Sequence, residues 1–181
     1  MFFDHYNIDG RRKQGMAHPL VTQLRFARSE FVRCLEGVSA EDAVRRLEPM
    51  NCLSWIVGHL ANQEHFFWVI SAQREIIAPG LNELVGTGKP ASPPPWEEMW
   101  AKWHEIAEAA DGYLETLTPE MLDRRLDCFG EVFPEPIGST LLRNIYHYWF
   151  HLGEAHAIRQ QLEHMDLPQF VGDLSAVRYG S

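Results

Sequence analysis

Residues 139–164 read STLLRNIYHYWFHLGEAHAIRQQLEH. Leu141, Ile145, Tyr148, Leu152 and Ala155 recur at the three-and-four spacing of a single helix face. The stretch therefore predicts a long helix, with Ser139 as its N-cap. His147 and His151 stand four residues apart, so their side chains stack about 6 Å apart along one ridge. That ridge borders the apolar stripe and includes Asn144, Glu154 and Ile158. An i,i+4 histidine pair is the helical geometry that lets two imidazoles chelate one cation. His156 falls on the opposite flank of the stripe and His164 at the frayed end, and neither is expected as a ligand.

A second periodic stretch, SWIVGHLANQEHFFWVISAQ over residues 54–73, predicts another long helix, with Asn51 as its N-cap. With His59 at zero and about 100° per residue, Cys52, Ile56, Phe67 and Ile70 fall within roughly 80° of it. His59 thus faces the core. His65 lies about 120° away and is expected to be exposed. Glu64, roughly 140° from His59, reads as a structural or interhelix partner. Cys52 shares the His59 face and reads as core. A third inward imidazole from a neighbouring helix would give three nitrogen ligands and an open position, the arrangement of a catalytic rather than a closed structural site. The plainer alternatives stay open: histidine pairs at this spacing occur without metal, and a lone inward histidine is commonly a hydrogen-bonded core residue. Three buried imidazoles without partners would each cost on the order of 1–3 kcal/mol, a cost that a metal offsets.

The remaining sequence supports an all-α reading. Residues 18–37 place Leu20, Leu24, Ala27, Phe31 and Leu35 at helical spacing. Ser39 opens a short segment that ends at Pro49. Pro79 to Pro95 is rich in Pro and Gly and reads as a long crossover loop between the second and third long helices. Pro94-Pro95-Trp96-Glu97-Glu98 opens the third, which extends to about Leu117. Thr118-Pro119-Glu120 begins a short helical turn. RRLDCFGEVFPEP, with Gly130 between two short runs, suggests a small hairpin. Four long periodic segments without a long strand predict one domain over residues 1–181, an antiparallel four-helix bundle. Residues 1–15 form an N-terminal arm and residues 165–181 a C-terminal tail over the bundle.

Composition narrows the function classes. The 181 residues are 45% hydrophobic and 23% charged, an ordinary globular balance. A net charge of −9 disfavours nucleic acid as a partner. No apolar run is long enough for a membrane span. Three scattered cysteines without a CxxC suit a reducing compartment, so the expected location is cytoplasmic. No P-loop, GxGxxG or Ser-His-Asp order is present. The aromatic residues, among them Trp55, Trp68, Trp103 and Tyr148, read mostly as core, with some walling a pocket above a metal.

Gly58-His59-Leu60-Ala61 with Glu64, followed by His147-Tyr-Trp-Phe-His151-Leu-Gly153-Glu154, resembles the DinB-like family of the DinB/YfiT-like superfamily. The resemblance spans roughly residues 18 to 165. Leu152 stands where that pattern has arginine, and Glu154 where it has glutamine. The resemblance implies a four-helix bundle that binds a divalent metal, zinc or nickel, through His59, His147 and His151. It also implies, for some relatives, low-molecular-weight thiols such as bacillithiol or mycothiol as cofactors in S-transfer or isomerisation, and homodimers in many. The expected function is a metal-dependent transferase or hydrolase acting on a small-molecule substrate. Glu154 is the candidate catalytic residue, orienting a ligand or acting as base. The alternative is a non-catalytic, stress-related bundle that binds partners or serves as a scaffold, with a vestigial or structural metal site. A metal-free bundle whose histidines satisfy one another is a third reading.

Overall fold

The computed structural model describes residues 17–169 and 171–178. The expected N-terminal arm lies outside the described residues. Seventeen residues with a proline in the first turn form α1, Pro19–Leu35. Ser39 caps α2, Ala40–Val44, its hydroxyl accepting from the Asp42 N–H. The second long segment has two parts: α3, Leu53–Glu64, runs directly into a π-helix, His65–Ser71. Then come α4, Leu81–Val85; α5, Trp96–Leu114; and α6, Pro119–Leu122. Strands β1, Arg125–Cys128, and β2, Glu131–Pro136, precede α7, Ile137–Gln161, and a 3-10 turn at Leu174–Val177.

Helix dominates, and the core is built where the long segments meet. Leu24, Ala27 and Phe31 of α1, Ile56 and Leu60 of α3, Met99 and Ile106 of α5, and Leu141 and Tyr148 of α7 are fully buried in one cluster. Helix α1 packs on α7, and α3 packs on both α5 and α7. The 3-10 turn lies against α1, and the Gly172 N–H just before it donates to Glu30 of α1 at 2.7 Å. No helix among the described residues is long and apolar enough to cross a membrane.

The all-α expectation needs correction, because β1 and β2 pair antiparallel. The Cys128↔Glu131 pair closes a two-residue loop in which Phe129 (φ 52°) and Gly130 (φ 98°) are both left-handed. That is the backbone of the tight hairpin turn that matches strand twist, and it explains the glycine. The hairpin is anchored by aromatic packing: the Phe133 ring lies 5.7 Å from Phe67 and 5.5 Å from Phe66.

Two helix starts differ from the sequence reading. Helix α7 begins at Ile137, not after Ser139, because β2 runs straight into it and the Ile137 N–H is taken by the Arg124 carbonyl at 2.7 Å. A tertiary hydrogen bond replaces the local cap. Cys52, not Asn51, holds the N-cap position of α3, with extended backbone and no side-chain cap. The crossover between the π-helix and α5 is not wholly irregular either, since it contains α4.

Candidate metal centre

Glu64 shows how the helices are held at the level of the site. Its carboxylate is buried and takes a two-pronged ion pair from Arg28 of α1. Arg28 also reaches Asp111 of α5 at 2.7 Å. The Tyr148 hydroxyl donates to Glu64 at 2.5 Å and accepts from the Trp103 indole at 2.8 Å. One buried network thus joins α1, α3, α5 and α7, and it does so one residue from Gln63 on α3 and one from His147 on α7. This is the interhelix role the sequence suggested for Glu64.

The structure brings His59, His147 and His151 together. Their candidate ligand atoms all lie within 4.8 Å of one another. The Nε2 atom of His147 is 3.1 Å from Nε2 of His59 and 2.9 Å from Nε2 of His151. His59 and His151 are buried, and His147 is half-buried. The Trp55 indole stacks on the His59 ring, centroids 4.5 Å apart and planes 17° apart.

Each imidazole has an acceptor for its other nitrogen. His59 Nδ1 donates to the Val85 carbonyl at 2.7 Å. Val85 ends α4, so this is one of the carbonyls that a helix C-terminus leaves without an internal partner. Gly58 permits the approach: a Cβ there would lie 2.5 Å from Met99 Sδ and 3.2 Å from a Val85 methyl. His151 Nδ1 donates to Glu154 Oε2 at 2.7 Å. His147 Nδ1 faces Gln63 Oε1 at 2.8 Å. With the Nδ1 hydrogens committed outward, the Nε2 lone pairs point at one another.

Burial disfavours the charged form here. It lowers the pKa of His59, with His151 adding a smaller lowering contribution and the Val85 hydrogen bond opposing. It takes His147 from 6.5 to about 3, with His151 and His59 adding to the effect. Neutral imidazoles with converging lone pairs are what a divalent cation requires. Three nitrogens at zinc bonding distance would stand about 3.3 Å apart in a tetrahedral set; the two separations from His147, 2.9 and 3.1 Å, are close to that, and all three lie within 4.8 Å. The donor set therefore fits a metal ion.

The other sequence expectations divide. His65 is buried, not exposed, and accepts from the Ile77 and Ala78 N–H groups at 3.2 and 3.4 Å. The wheel assumed one covered face, but the crossover segment covers the opposite one, and every residue from Leu53 to Ala61 is buried. Cys52 is buried in the core as expected. His164 is not loose at a frayed end: it accepts from Arg159 at 3.1 Å and lies 3.3 Å from Asp42. The sequence reading missed Val85, Gln63 and Asn144 as supports of the site. Of the three, only Asn144 carried a signal, its place on the His147 ridge.

An open cavity of about 540 Å³ abuts His147 and Gln63 and is bordered by Arg143, Glu135, Tyr146 and Phe150. Tyr146 and Phe150 are largely exposed, at 63% and 70%. The family model described as the DinB superfamily matches residues 23–155, a span that contains all three histidines and Glu154. No curated protein matches the chain.

Proposed function

This chain belongs to the DinB superfamily, and on that premise we propose that it is a metal-dependent enzyme carrying out S-transfer or hydrolysis on a small-molecule substrate. The observation that carries this reading is the convergence of three Nε2 atoms whose imidazoles each find a partner for Nδ1. His59, His147 and His151 would hold the ion, with zinc or nickel the candidates. A divalent ion so held supplies a Lewis acid with an open position, which makes a thiol or water nucleophilic near neutral pH.

The chain's own groups do the rest. The antiparallel four-helix frame, within a single domain, keeps His59 opposite the other two. Glu154 holds His151 by its Nδ1–H, so we assign it the orientation and basicity of that ligand. Held on the Nδ1 side of His151, the Glu154 carboxylate would act on the incoming thiol or water through that ring, by raising its electron donation to the ion. The cavity beside His147 would seat the substrate, its apolar part against Tyr146 and Phe150.

Metal analysis and cobalt substitution test this. Purified protein should carry about one divalent ion per chain, and His147→Ala should lose it. Azide or a small thiol should perturb the visible spectrum of the cobalt form. A spectrum that neither reagent changes would point to a closed site and a structural role, and a native protein free of metal would sink the reading altogether.

A further inference from the structure

Trp68 lies in the π-helix, fully buried, and its indole Nε1–H donates to Asn144 Oδ1 of α7 at 2.7 Å. Asn144 is itself fully buried, and its Nδ2 donates to Gln63 Oε1 at 3.0 Å. The same Gln63 oxygen faces His147 Nδ1 at 2.8 Å. The direction of every bond in this chain follows from its first member. An indole N–H only donates, so the Asn144 carbonyl must face Trp68 and its NH₂ must face Gln63. Gln63 must then present its carbonyl, and the only way His147 can meet that oxygen is by donating Nδ1–H.

The π-helix makes the chain possible. Gln63 and Trp68 are five residues apart, about 140° around a regular α-helix. In that register their side chains would point well apart. Gln63 lies in the last turn of α3, and the wider turn of the π-helix that begins at His65 brings Trp68 back toward the face of Gln63. Here both side chains meet Asn144.

We infer that Trp68, Asn144 and Gln63 form a relay that locks His147 as its Nδ1–H tautomer, with the Nε2 lone pair turned to the metal position, and that the π-helix is the device that brings Trp68 into it. The purpose of the relay rests on the metal reading above, whereas the tautomer does not. Trp68, Asn144 and Gln63 are positioning residues: they act on the metal position through His147. The tautomer is fixed from a side chain in the core, three hydrogen bonds away from the ligand ring.

The test compares wild type with Gln63→Leu, Gln63→Glu and Asn144→Asp, using zinc affinity by chelator competition and ¹⁵N NMR of the His147 ring in metal-free protein at about pH 8. Gln63→Leu removes the acceptor and should weaken zinc on the order of 10–100-fold. Gln63→Glu keeps an acceptor and should bind at least as tightly as wild type. Asn144→Asp offers an oxygen where the NH₂ stood, so the Gln63 amide must turn over. Its NH₂ then faces His147, and the ring hydrogen moves to Nε2, with a similar loss of affinity. NMR should find Nδ1 protonated in wild type and in Gln63→Glu, and Nε2 protonated in Asn144→Asp. A wild-type ring with bare Nδ1 overturns the relay. So does Gln63→Leu binding like wild type, or Gln63→Glu as weak as Gln63→Leu, which is the pattern of a merely structural residue. Should Asn144→Asp fail to fold, the two Gln63 variants decide. A wild type with protonated Nδ1 but no affinity for zinc would uphold the relay and sink the metal reading.

Discussion

The Nε2 atoms of His147 and His151 face each other across 2.9 Å, while the Nδ1 of each is taken up by a different acceptor, Gln63 and Glu154. Two acceptor lone pairs at hydrogen-bonding distance with no hydrogen between them repel. A cation between them turns that repulsion into binding energy.

Metal should stabilise the fold. Zinc at 100 times its dissociation constant is expected to add about 2.7 kcal/mol of unfolding free energy. His147→Ala should abolish the increment while leaving the metal-free stability nearly intact, since that side chain is only half-buried. Thermal melts with and without zinc check this. An equal zinc shift in the variant would place the ion elsewhere.

Gly58→Ala should damage both stability and site. The added methyl meets a flexible methionine at 2.5 Å and a β-branched valine at 3.2 Å. Overpacking of this kind costs about 1–3 kcal/mol. Relief by moving α4 would withdraw the Val85 carbonyl from His59. Urea unfolding and zinc titration together read the effect, and a variant unchanged in both would show that α4 tolerates displacement.

Glu64→Ala leaves Arg28 buried with Asp111 as its remaining carboxylate partner. Breaking a buried pair from one side destabilises by about 3–5 kcal/mol, and the surviving partner argues for the lower end. Glu64→Ala with Arg28→Met should recover part of the loss, because both charges are then gone. Denaturant midpoints for the two variants distinguish a buried pair from a solvated one, for which neither change would matter.

In metal-free protein, stability should fall as the solution is acidified. Burial holds His59, His65 and His147 below the usual 6.5. Each therefore binds a proton more readily unfolded than folded. Their contribution is full above 6.5 and is lost as pH falls through the folded values, for His147 down to about 3. Going from about pH 7.5 to about pH 5.5 should cost on the order of 1 kcal/mol for His147, with His59 and His65 adding in the same direction. Urea midpoints that stay level over that interval would contradict the assignment of neutral imidazoles.

What the chain determined by itself was local and periodic. The i,i+4 pair on α7, the inward placement of His59 and the apolar stripes of the long helices follow from the turn of an α-helix, which needs no tertiary information. The Phe129-Gly130 hairpin was visible for the same reason, as a turn between two short runs. Tertiary structure decided everything that depends on a partner far along the chain. Val85 reaches His59 from 26 residues away, and Asn144 reaches Trp68 across 76. His65 was misjudged because a segment with no helical period of its own covers its face. The π-helix left no trace in the apolar pattern. It changes the angle between residues rather than their polarity, and its consequence appears only where Trp68 and Gln63 meet one asparagine.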